Sequence, residues 1–228
     1  MITALKSAIA RRSRAKRARL ALRYLGISEN DRILDLGGGK GRHFASVFPF
    51  RRNVWISCHL PDNLRYAEEK YGFNTVLLDG TDERLPFEDK AFDVVFCSSV
   101  IEHVTGPKDE AVQRFKSDGA AFQREAFAYQ ERFAREIRRI GKRYYVQTPN
   151  RNFPVEVHSW IPGLGYLRTD RQWKVIRRFN GFWPRKDERP DWSLLTRSDM
   201  RRLFPDAEIV TERWGGLTKS IIAIGRAH

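Results

Sequence analysis

A chain of 228 residues with 41% hydrophobic content, six Trp and fifteen Phe can bury a full core, which excludes a disordered polypeptide. No apolar run approaches the roughly 20 residues that span a bilayer, and Lys6 breaks Ile2–Ala10 ahead of a run of arginines, unlike a secretory signal. The net charge of +14 is concentrated at the start, where Lys6, Arg11, Arg12, Arg14, Lys16, Arg17, Arg19 and Arg23 precede the first acid, Glu29.

Residues 1–28 read as a basic N-terminal helix, set apart from a domain over 29–228. Ala15, Ala18, Leu22 and Leu25 form a helical stripe that can pack on that domain, and Gly26 is its stop. The basic residues would draw phosphates of nucleic acid or of an anionic membrane surface. Arg32–Leu36 is a short apolar strand, and Asp35-Leu36-Gly37-Gly38-Gly39-Lys40-Gly41 opens a helix from residue 42. Glycines between a strand and a helix permit positive φ and bring backbone close to a ligand. The dinucleotide fingerprint fails because Arg42 stands at its third glycine, and the phosphate-binding P-loop fails because Gly41 follows Lys40 and Leu34 stands at its first glycine.

Asn53–Cys58 is the second strand, Asn63–Tyr71 a helix stopped by Gly72, Thr75–Asp79 the third strand, and Asp93–Ser98 a continuous apolar fourth strand. Both cysteines, Cys58 and Cys97, fall in such runs as buried free thiols of a reducing compartment, so a cytoplasmic location is expected. Two Cys and five scattered His do not assemble a four-ligand zinc site, and no metal is expected. A long helix at about 118–140 precedes a fifth strand, Lys142–Gln147, stopped by Thr148-Pro149-Asn150. Residues 151–192 show no periodicity and read as a lid or insert rich in aromatic and basic residues, Phe153, Trp160, Tyr166, Trp173, Phe179, Phe182, Trp183 and Trp192 among them. These aromatics suit base stacking, an apolar lid or a satellite core. A short helix at Ser198–Phe204 and two strands, Ala207–Thr211 and Ser220–Gly225, close the chain. The alternation predicts an α/β fold with a mostly parallel sheet of seven strands and helices on both faces.

The D-x-G-x-G-x-G loop is joined by Leu85-Pro86-Phe87-Glu88-Asp89-Lys90-Ala91-Phe92-Asp93-Val94-Val95 and Ser98-Ser99-Val100-Ile101-Glu102-His103-Val104. In that order the three segments resemble class I S-adenosylmethionine-dependent methyltransferases, of the type 11 subgroup related to ubiquinone and menaquinone biosynthesis enzymes. The resemblance covers 30–150 well and 193–228 loosely. It implies a Rossmann-like methyltransferase fold, with the basic N-terminal helix and the insert after strand 5 as additions, and S-adenosyl-L-methionine as cofactor. By the same resemblance Asp35, Gly37, Gly38, Gly39 and Gly41 line the methionine part, and Ser98 and Ser99 lie near it. The adenine contact falls among Asp79, Gly80, Thr81 and Asp82. The family's ribose-binding acid after the second strand is missing, since Cys58 or His59 stands there; His59 or Asp62 are the substitutes.

Methyl transfer asks the protein for alignment, desolvation and a proton sink. His103, after the fourth strand, and His158, within Pro154–Trp160, are the candidate catalytic bases. The acceptor implied is a small molecule, lipid-linked compound or saccharide. An RNA acceptor is the alternative suggested by the basic start and the aromatic insert, although no Asn-Pro-Pro-Tyr-like tetrad or paired catalytic Cys is present. A catalytically inactive methyltransferase-like binding protein is the alternative suggested by the missing acid.

Overall fold

The computed structural model describes residues 18–78, 84–179 and 190–226. Within them lie the seven strands β1 (Ile33–Asp35), β2 (Val54–Cys58), β3 (Asn74–Leu77), β4 (Phe92–Ser98), β5 (Gly141–Pro149), β6 (Glu208–Trp214) and β7 (Leu217–Gly225). They form one sheet in the order β3-β2-β1-β4-β5-β7-β6. The first five are parallel, and β7 runs antiparallel between β5 and β6. Gly215 and Gly216 join β6 to β7 with φ of 55° and 80°, the two left-handed residues that a tight hairpin turn matched to strand twist requires.

Side chains alternate across the sheet, so two cores form. On one face Phe96, Tyr145, Ile222 and Ile224 meet α2 (Arg42–Val47), α3 (Pro61–Tyr71) and the helical residues 18–25 (α1), through Phe44, Leu64, Ala67, Ala18, Ala21 and Leu25. On the other, Val95, Cys97, Val146 and Ala223 meet α5 (Gly119–Ile140) and α7 (Arg197–Leu203) through Ala134, Ile137, Met200 and Leu203. The α1 seam is Ala18, Ala21 and Leu25, with Leu22 half-buried beside it; Ala15 lies outside the described residues. Gly26, at φ 57°, caps α1 with its N–H on Leu22 O at 3.0 Å. The Arg143 guanidinium bonds to the Leu25 carbonyl and to Asp31 Oδ1.

Two helices depart from the sequence expectation. α4 (Lys108–Ser117) precedes α5, and α6 (Thr169–Phe179) lies inside the segment read as aperiodic. The buried positions of α6 are Thr169, Gln172 and Ile176, a helical seam two-thirds polar, which hides the apolar period. Together α4, α5 and α6 enclose a third core of Phe115, Phe122, Ile161, Leu164, Ile176 and Trp192. Ile161, Leu164, Ile176 and Trp192 of the insert thereby belong to a satellite core, whereas Tyr166 and Phe179 are exposed. β5 also runs through Thr148 and Pro149 where a stop was expected; Pro149 is its last register position, beside Ser220, where a missing N–H is tolerated.

Candidate active site

The strand order reverses between β1 and β4, and in open α/β sheets ligands bind in the crevice beyond the carboxyl ends at such a point. A cleft of about 600 Å³ opens there, bounded by Leu36, Gly37 and Gly39 after β1 and by Ser99, Val100 and His103 after β4. Its volume suits a cofactor-sized molecule.

The loop after β1 is held from below. Gly37 N–H donates to Ser57 Oγ at 2.9 Å, tying it to β2. Asp35 is buried beneath Gly38, where an added Cβ would fall 2.2 Å from Oδ2, and this oxygen has no hydrogen-bond partner among the described residues. Burial without such a partner lifts the Asp35 carboxyl to about 7. Gly37 and Gly39 adopt φ of 78° and 58°; a Cβ on Gly39 would meet nothing within 4 Å, so backbone lies open to the cleft. His59 and Asn63 face the same space, with Asn63 Nδ2 3.6 Å from Cys58 Sγ.

The opposite end is polar and charged. The 3-10 turn Ile101–His103 follows β4 and is braced by the Gln130 amide, which donates to Ile101 O at 3.1 Å and Ser193 O at 3.0 Å. His103 Nδ1 lies 2.8 Å from Asp191 Oδ1, and Lys108 Nζ bonds to Asp191 Oδ2. Burial opposes protonation of His103, but Asp191 and the charge of Glu102 outweigh it and its pKa rises. Burial raises Asp191 too, yet His103 and Lys108 hold it at about 2. The His158 ring stands edge-on to His103 at 5.0 Å and stacks on Trp192 at 4.7 Å. Its Nδ1 lies 2.6 Å from Glu156 Oε1. Arg132 and Tyr129, from α5, complete this end.

A family model described as a methyltransferase domain matches residues 6–207. The chain belongs to this methyltransferase domain family. Solved structures of similar fold include an S-adenosylmethionine-dependent methyltransferase from Clostridium acetobutylicum ATCC 824, with 11% identity, 94% of this chain and 91% of that chain covered and a TM-score of 0.58. The PH0226 protein of Pyrococcus horikoshii OT3 follows with 15% identity, coverage of 95% and 91% and a TM-score of 0.53. The N-terminal domain of EvdMO1, solved in the presence of SAH and D-fucose, is 19% identical with coverage of 94% and 83% and a TM-score of 0.52. No curated protein matches the sequence.

In this methyltransferase the sequence-derived residues divide. Gly37, Gly39, His59, Ser99 and His103 line the cleft. Asp35 and Gly38 lie beneath it, and Gly41 packs on Phe73 and Ala67. Ser98 bonds to Gln147 Oε1 at 2.8 Å, while Ser99, at φ 59°, reaches the same oxygen from the cleft wall. Asp62 is exposed and pairs with Arg65 at 3.5 Å, away from the cleft, because it sits on the outer side of the first turn of α3. Asp79, Gly80, Thr81 and Asp82 lie outside the described residues. His103 and His158, 55 positions apart in the chain, are brought ring to ring. Sequence reasoning missed Asn63, one residue beyond Asp62, and Lys108, Arg132 and Asp191, which carry no local motif.

Proposed function

We propose that this methyltransferase moves the methyl group of S-adenosylmethionine to a hydroxyl of a small acceptor, a saccharide or lipid-linked compound being the favoured class. The observation that carries this reading is one continuous cleft joining the open backbone of Gly37 and Gly39 to the His103, Lys108 and Asp191 end. The residues fit the cofactor. Asp35 Oδ2, without a partner among the described residues, lies under the loop where a cationic amino-acid moiety would neutralise the cost of its burial, and a Cβ on Gly39 would meet nothing within 4 Å. His59 and Asn63 are the polar groups for the ribose, in place of the missing acid.

The cofactor supplies an activated methyl, so the chain's work is alignment, exclusion of water and management of the acceptor's proton. Leu36, Leu78, Leu85, Val100 and Phe133 give the cleft apolar walls. At its far end His103, which lines the cleft and is set by Asp191, is the group that meets the nucleophile, with the His158 ring packed edge-on against it from outside the cleft lining. An RNA acceptor draws its support from the basic residues 1–17, which lie outside the described residues.

Calorimetry with S-adenosylhomocysteine tests the cofactor half, with one site per chain expected; no heat at millimolar ligand would reject it. Incorporation of labelled methyl from S-adenosylmethionine into a panel of hydroxylated glycosides, against RNA oligonucleotides, tests the acceptor half. Binding without turnover on any acceptor would favour an inactive binding protein.

A further inference from the structure

The acceptor end holds more than a pair of imidazoles. Glu102, His103 and His158 each offer one ligand atom, and these atoms all lie within 4.8 Å of one another. Glu102 is fully buried; its Oε2 accepts from Thr148 Oγ1 at 3.1 Å, whereas Oε1 has no partner among the described residues. A buried carboxylate oxygen left bare carries a desolvation penalty unless something meets it. Each imidazole is oriented from behind by a carboxylate, Asp191 on Nδ1 of His103 and Glu156 on Nδ1 of His158, which leaves Nε2 of both rings for a ligand. Glu156 is itself anchored by Ser159, through N–H at 2.6 Å and Oγ at 2.7 Å.

We propose that Glu102, His103 and His158 form a site for one divalent first-row transition ion, with His103 its ligand on the cleft side. Two imidazoles and one carboxylate, with carboxylates behind both rings, are a donor set suited to Mn²⁺, Fe²⁺, Co²⁺ or Zn²⁺, whereas Mg²⁺ and Ca²⁺ favour oxygen ligands. A count of Cys and His for a closed zinc site does not include a buried carboxylate or an open coordination sphere. His103 lines the cleft, so an ion here would hold an oxygen of the acceptor and make its hydroxyl more acidic. That role rests on the proposed methyl transfer; the binding of the ion does not.

Titration of the full chain, stripped with chelator, with MnCl₂ or ZnCl₂ alone is expected to show one ion per chain, and MgCl₂ to bind more than tenfold more weakly. Glu102→Gln and His158→Ala should each weaken Mn²⁺ binding at least tenfold. Glu156→Gln, which removes only the carboxylate behind His158, should weaken it about 10- to 100-fold. Circular dichroism establishes that each variant is folded, and Co²⁺ absorption in the folded wild type reports nitrogen and oxygen coordination. A folded wild type that takes no ion at millimolar concentration, or folded Glu102→Gln and His158→Ala variants with unchanged affinity, would overturn the proposal. S-adenosylhomocysteine binding is measured on the same stripped protein: its absence beside intact Mn²⁺ uptake rejects the cofactor reading and upholds the ion site.

Discussion

Gly39 and Asp35 approach the proposed cofactor position from opposite sides of one loop. Gly39→Leu places a side chain in open space at a left-handed φ, so the fold should lose only about 1–2 kcal/mol while the cleft is filled. Loss of S-adenosylhomocysteine binding with a cooperative melt retained is the expected result; unchanged affinity would place the cofactor elsewhere. Asp35 governs a pH dependence. Its folded pKa, about 7, is raised above the ordinary 3.8, so protonated Asp35 stabilises the fold and that contribution is lost as pH rises from 3.8 through about 7. The full effect is roughly 4 kcal/mol at 1.36 kcal/mol per pH unit, and Asp35→Asn should flatten urea-derived stability across that range. His103 and Asp191 act in the opposite corner. The raised His103 pKa gives stability that is full below 6.5 and fades as pH climbs through the folded value, while that of Asp191 is present above 3.8 and lost as pH falls through about 2. His103→Gln should remove the first effect and leave the Asp35 slope. The glycine loop and His103 were legible because each belongs to a contiguous motif. Asp191, 88 positions from His103, was not, because only tertiary packing makes it a partner.

At the scale of elements, legibility followed burial. β4 is buried on both faces and reads as an unbroken apolar run, whereas α4 and α6 earn their helical state from each other. α4 has Ala111, Val112 and Phe115 as its buried residues among seven polar or charged ones, and the seam of α6 is mostly polar. Phe115 of α4 is fully buried and packs edge-on against Phe122 of α5 and against Trp192, each at 5.3 Å, in the core that Ile176 of α6 also joins. Phe115→Ala should cost about 3–5 kcal/mol in denaturant unfolding. The glycine loop lies on β1, outside this third core, so S-adenosylhomocysteine affinity should persist in the folded variant. A coincident loss of both would show that the insert's core and the cofactor end fold as one unit. In α1, Ala18 and Ala21 are small enough to bring the helix close to β4, β5 and β7, while the rest of the expected basic helix, residues 1–17, lies outside the described residues.

For the whole molecule the dominant feature is charge. Residues 1–17 carry six cations and no acid, so their removal takes the net charge from +14 to +8. A truncation must stop there, because Ala18, Ala21 and Leu25 belong to the core beneath the sheet. If the basic segment binds a polyanion, each phosphate it neutralises contributes about 0.7 to the slope of log affinity against log salt on a single strand. Six such contacts set an upper bound of about 4 on the slope that truncation removes. Fluorescence anisotropy of a labelled oligo(U), titrated with KCl, measures it on the full chain and on residues 18–228. A smaller slope in the truncated chain, with S-adenosylhomocysteine binding unaltered, assigns the polyanion site to the N-terminal segment. An identical slope removes that segment from the account and moves attention to the exposed face of α6, where Arg171, Lys174, Arg177 and Arg178 stand in solvent beside the satellite core.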